Sequence, residues 1–200
     1  MSELVEVNKT NDLAIEREHI GLNQLMQMAT TLSKSTIVPM NYQNRPENCL
    51  IALDMATRMG VSPMMVMQNL YVVQGKPSWS GTAIASMIRN CGSFTDVEVN
   101  YVGQENSDSW GCYISAKNKK NGKEINGGTV TIAIAKAEGW YAKTGSKWKT
   151  MPAQMLAYRA YSWFGRVHAP ELMMGLQSTD EVEDVVTNGQ STVSNPYESR

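Results

Sequence analysis

Apolar positions recur along this chain in two periods, and the longest helical stripe lies in its last third. From Ala153 the residues Leu156, Ala157, Ala160, Trp163, Phe164 and Val167 follow at spacings of three and four, the core face of an amphipathic helix. Thr150 is placed to cap that helix. Pro152 falls in its first turn, where a missing N–H costs nothing. Arg159 and Arg166 lie seven residues apart with Ser162 between them, so they point almost the same way, off the stripe. Their truncation is therefore expected to leave the fold standing.

The same reading predicts helices elsewhere. Ile20, Leu25, Met28, Ala29 and Leu32 mark an amphipathic helix over about 17–33. Pro46 opens a second, with Leu50, Leu53, Ala56 (or Thr57) and Met59 as its apolar side, and Gly60 ends it. Ser62-Pro63 starts a short third helix in which the methionines pack as gap-fillers. LYVVQGKPSWSG reads as strand, turn, strand, and Gly81 opens a helix over TAIASMIRN. Alternation in FTDVEVNYV, with one slip in register, and in WGCYISAK gives two strands. The Asn121-Gly122 turn returns the chain as KEINGGTVTI, so these three segments form an antiparallel meander. TIAIAKAEGW becomes a helix feeding the loop before the long helix, and APELMMG and STDEVEDVV form two short helical pieces. The fold class is α+β: a three-stranded antiparallel meander and a β-hairpin packed against a long central helix, with flanking N- and C-terminal helices. One domain is expected over 17–186, between a flexible 1–16 and a disordered 187–200.

Charge changes the picture. The 200 residues carry a net charge of −1, yet 115–170 hold ten Lys and Arg against two Glu, a local +8. Residues 171–200 run the other way, at −5. Lys143, Lys147 and Lys149 are interleaved with Trp140, Tyr141 and Trp148 just before the long helix, and Lys117, Lys119, Lys120 and Lys123 cluster on the hairpin. A cationic helix face beside a Lys/aromatic loop is what a groove for a polyanion with stackable bases needs. The plainer reading is a solvated helix face and a surface loop. Trp79, Trp140 and Trp148 are the candidates for base stacking, with core packing as the alternative.

Other chemistry is sparse. Cys49, Cys91 and Cys112, with His19 and His168, make no metal-ligand spacing, and scattered cysteines read as small buried residues in a reducing cytosol. GKPSWSG lacks the spacing of a phosphate loop, so no ATP site is expected. Asp96 and Glu98 share a strand face and are the one candidate pair for a metal-dependent nuclease. No catalytic constellation stands out. The acidic N-terminus lacks an apolar core for a signal peptide, and no run approaches a membrane span.

ENCLIALDMATRMGVSPMMVMQNLYVVQGKPSWSG, then AEGWY and GSKWKTMPAQMLAYRAYSWFGR, then PELMMGLQSTDEVED, together resemble the RecT family of phage single-strand annealing proteins. The likeness runs over about residues 25–186 and extends distantly to Red-beta and its annealing relatives. It implies a homo-oligomer, ring or helical filament, that binds single-stranded DNA and anneals complementary strands through a duplex intermediate. It implies no ATP and no cofactor, and a place in the bacterial cytoplasm. The DNA would lie in a basic groove between a β-hairpin and the long helix. Matched by position, Arg159 and Arg166 fall on the helix, Lys147 and Lys149 in the loop before it, and Gln68 and Lys76 near the opposite wall. With Lys143, Lys119, Lys120 and Trp148 they form the expected DNA-binding set. Distant relatives are basic at the positions of Ala153 and Gln154, where this chain is not. Family partners include a phage exonuclease and the host single-strand-binding protein, reached through a C-terminal module where this chain looks short. The rivals are a passive single-strand binder, the nuclease, and a phage structural protein whose basic face is incidental.

Overall fold

The structure, a computed structural model, describes residues 21–73 and 75–186. The lead-in expected over 1–16 and the tail expected over 187–200 lie outside the described residues. The contacts divide the chain between Gln68 and Asn69 into two compact units.

The first unit is helical. Helix α1 (Leu22–Ser33) packs on α2 (Pro46–Met59), and α3 (Pro63–Asn69) follows. Proline at the first turn of α2 has a pre-set φ and no N–H to waste, and Gly60 ends the helix in the left-handed conformation at φ +65°. Ala29, Cys49, Ala52, Leu53 and Ala56 are buried. Met28, expected on the core face of α1, is instead exposed.

The second unit is α+β. Strands β1 (Leu70–Val73) and β2 (Lys76–Trp79) make an antiparallel hairpin, pairing Leu70 with Trp79 and Val73 with Lys76. Ser80 caps α4 (Gly81–Asn90): its hydroxyl accepts from the Ala83 N–H at 3.0 Å and donates to Asn69 Oδ1 at 2.9 Å. A second sheet holds β3 (Phe94–Val102), β4 (Gly111–Asn118), β5 (Glu124–Asn126) and β6 (Val130–Thr131), all antiparallel. The slip in β3 is a bulge between Thr95 and Glu98, where Asp96 takes φ +53°. The returning strand is split, since β5 and β6 both pair with β4, at Ala116↔Ile125 and Cys112↔Val130.

Short helices α5 (Ile132–Ala137) and α6 (Lys147–Thr150) lead to α7 (Pro152–His168), and α8 (Pro170–Met173) follows. Strand β7 (Gln177–Ser178) then adds to the hairpin in parallel with β2, and α9 (Thr179–Val186) ends the described chain. Among the described residues no single helix is long and apolar enough to cross a membrane.

Helix α7 is the spine of the second unit, packing on α4 and β4. Leu156, Ala160 and Phe164 are fully buried, and Phe164 meets Phe94 edge-to-face at 5.2 Å. Two expectations need correction. Thr150 ends α6 rather than capping α7, whose N-cap is Met151 with no side-chain bond. Val167 is 71% exposed and lies outside the buried face, which is not one stripe but two sides. Met155, Arg159 and Ser162 are buried as well, under elements that the helical period of α7 does not reveal.

At Gly81, the first residue of α4, the helix packs directly against Tyr158 of α7. A Cβ there would stand 2.6 Å from the Tyr158 ring, well inside contact distance. Gly81→Ala is therefore expected to destabilise the fold by about 1–3 kcal/mol through overpacking, despite the better helix propensity of alanine. Urea denaturation of the two proteins checks this. Equal stability would mean that the helices separate freely.

Candidate nucleic-acid interface

The expected DNA-binding residues do not form an open cationic groove. Most of those on α7 and its preceding loop are held by one short acidic helix. Helix α9 begins with a capping box: Ser178 Oγ accepts from the Glu181 N–H at 3.2 Å, and Glu181 Oε2 accepts from the Ser178 N–H at 3.0 Å. That start fixes Asp180, Glu181, Glu183 and Asp184 against α7 and the loop.

Asp184 lies at the centre. Its Oδ2 accepts from Arg159 Nη2 at 2.5 Å and from Trp148 Nε1 at 3.0 Å. The Lys143 ammonium is 4.0 Å from Oδ1 and donates to the backbone carbonyls of Glu183 (2.8 Å) and Asp184. Glu181 gives its other oxygen to Arg166, and the same oxygen is 4.0 Å from Arg159 Nε. Lys147 reaches Asp180 at 3.5 Å and Glu183 at 3.4 Å. Four bases thus meet four acids of one helix.

Arg159 is 5% exposed. Its guanidinium lies 3.8 Å from the centre of the Trp140 ring and 5.7 Å from that of Trp148, and the two indoles are 5.4 Å apart. Cation–π attraction and the Asp184 carboxylate offset the cost of desolvating the charge. Burial lowers the Arg159 pKa, against the pull of Asp184 and Asp180. Burial also lowers that of Arg166, helped by the like charge of Arg159. Lys143 is lowered by burial too. For Lys147 burial pulls down, but Asp180 and Glu183 outweigh it and the pKa is raised.

Several expectations are corrected here. Arg159 does not lie off the core, because α9 and two indoles close over it. Trp148 is 1% exposed and cannot offer a face to a base, and Trp79 and Trp140 are buried too. Lys143 and Lys147 are engaged rather than free. Acids that a periodicity argument passes over, Asp180 to Asp184, turn out to be their partners. The signal for them was present in the S-x-x-E box at Ser178 and in the −5 segment after residue 170.

Other candidates remain accessible. Arg166 keeps 39% of its side chain exposed, and with Lys76 it lines a cavity of about 510 Å³ floored by Pro77, Pro170 and Met173. Lys149 is exposed on α6. Lys119 and Lys120 are exposed at the β4–β5 turn, where Asn118 Oδ1 accepts from the Lys120 N–H at 2.9 Å and fixes the backbone. Among the described residues nothing pairs with the ammonium groups of Lys149, Lys119 or Lys120. Gln68 is exposed on α3 in the first unit. Asp96 and Glu98 line a cavity of about 340 Å³ with Glu124, but the Lys117 ammonium lies 3.0 Å from Asp96. No group of three or more metal-ligating side chains occurs among the described residues.

No family model, curated protein or solved structure matches this chain.

The buried cluster should behave as a unit. Asp184→Ala and Arg159→Ala are each expected to cost about 3–5 kcal/mol, because each leaves a buried charge unpaired. The double variant should cost less than their sum. Lys147→Ala, with its side chain 48% exposed, should stay within about 1 kcal/mol. Chemical denaturation gives the cycle, and strict additivity would show that Arg159 and Asp184 do not interact.

Proposed function

We propose that this chain binds single-stranded DNA and anneals complementary strands without nucleotide hydrolysis, as its likeness to the RecT family implies. One observation carries the reading. Cations from three separate stretches, Lys76 on β2, Lys143 and Lys147 in and after the loop, and Arg159 and Arg166 on α7, are gathered in one neighbourhood of the second unit. Their sequence separation makes a chance cluster of solvated lysines a poor account, and paired guanidinium and ammonium groups suit a phosphate chain. The meander and hairpin flanking α7 would supply the walls of the groove.

The chemistry required is holding and aligning, with no bond broken. Protomers assembled side by side keep a strand extended, and base pairing with the second strand supplies the sequence test. Lys76 and Lys149 would take the first phosphates, being exposed as they stand, with Arg166 beside Lys76 in the same cavity. Lys119 and Lys120 would track the backbone further along. An exonuclease and a host single-strand-binding protein are partners of the same reading.

The test is a fluorescence annealing assay with complementary oligonucleotides. Annealing should proceed without ATP, and affinity for a single strand should fall on the order of tenfold or more between low and moderate salt, with no preference among sequences. Binding without annealing would make the protein a passive protector of single strands. Degradation of the DNA with magnesium or manganese would favour the nuclease, and no binding at low salt would overturn the nucleic-acid reading altogether.

A further inference from the structure

The basic neighbourhood already holds a polyanion, namely α9. Four carboxylates within five residues meet Lys143, Lys147, Arg159 and Arg166, so the closed face has no excess charge to offer a phosphate chain. We propose that α9 is an intramolecular competitor that occupies the DNA site and must lift off before a strand can engage Arg159, Lys143 and Lys147. This rests on the nucleic-acid reading above and adds a gate to the same site.

Three features make α9 suited to leaving. It is eight residues long, too short to persist as an isolated helix in water. Its described apolar anchorage is thin: Val182 is buried at 2% exposure, while Val185 is 63% exposed. Its other attachments are ion pairs, the Trp148 N–H to Asp184, the Lys143 bonds to the Glu183 and Asp184 carbonyls and the capping box, preceded by a two-residue parallel strand at Ser78↔Gln177 and Trp79↔Ser178. Elements with few buried apolar contacts are the ones that open locally, and because opening α9 also parts Asp184 from Arg159, the closed state dominates until a polyanion replaces the carboxylates. Charge-paired contacts are also the ones that a rival polyanion can replace one for one. Lifting α9 would free the Arg159 guanidinium from Asp184 and turn a buried ion pair into a phosphate contact.

A gate of this kind taxes affinity by the fraction of molecules that are open. The full-length chain is compared with D180N/E183Q, which keeps the Ser178–Glu181 box and the Asp184–Arg159 pair, and with D184N. A control, E105Q, removes an exposed acid on the loop between β3 and β4. Anisotropy of a labelled oligothymidylate should show D180N/E183Q binding roughly tenfold or more tighter than the parent. The control should match the parent. Hydrogen exchange of the unmodified protein should show faster exchange over 180–186 and slower exchange in α7 when the oligothymidylate is added. If D184N proves unfolded by circular dichroism, the double variant and the exchange measurement decide alone. Equal affinities for parent, control and α9 variants, with α9 still protected in the complex, would overturn the gate and leave the proposed function standing. Binding by none of the proteins would remove both.

Discussion

The second unit depends on a charge kept out of water. Arg159 sits on the spine helix with its guanidinium against Trp140 and its charge met by Asp184. An arginine cannot shed its proton to ease burial, so the surroundings must supply the compensation. That requirement ties together elements far apart in sequence: the loop carrying Trp140 and Trp148, helix α7, and α9 with Asp184. Trp148 contributes twice, once through its ring and once through the indole N–H given to the same carboxylate. The loop before α7 is ordered by the same need, since Ser146 Oγ donates to the Trp140 carbonyl at 2.7 Å and holds the indole in place.

Much of the secondary structure was legible because local chemistry specifies it. Pro46 and Gly60 bracket α2, Ser80 caps α4, and the Asn121-Gly122 turn sets the β4–β5 hairpin. The slip seen in the alternation of FTDVEVNYV is the bulge at Asp96. Non-local pairing was not legible. Nothing in the two residues of β7 announces a strand, and their parallel alignment with β2 depends on where α8 delivers the chain.

The candidate site was half legible for a related reason. Periodicity assigns a helix one buried face, which suits an element packed on one side. Helix α7 is covered on a second side by an acidic helix that begins after ten intervening residues. An arginine off the apolar stripe then reads as solvated, although Arg159 is among the most enclosed cations of the chain. The charge pattern contained the missing information as a basic third followed by an acidic end. Opposite blocks on one chain can be independent ligand sites or each other's partners, and only the fold separates these cases.

The shared carboxylate of Glu181 makes α9 a two-position device. One oxygen completes the capping box that starts the helix, and the other neutralises Arg166. Helix formation and charge pairing are therefore one event, and an intermediate that is helical but undocked gains little. Released, the segment remains tethered through Gly175 to Ser178, so its effective concentration at the basic face stays on the order of millimolar. A free nucleotide, with one or two charges, competes poorly against so close a rival. On the proposed gate, a polymer that presents many phosphates in tandem would replace all four carboxylates in a single encounter. Such a tether would select for chain length, independently of base or sugar.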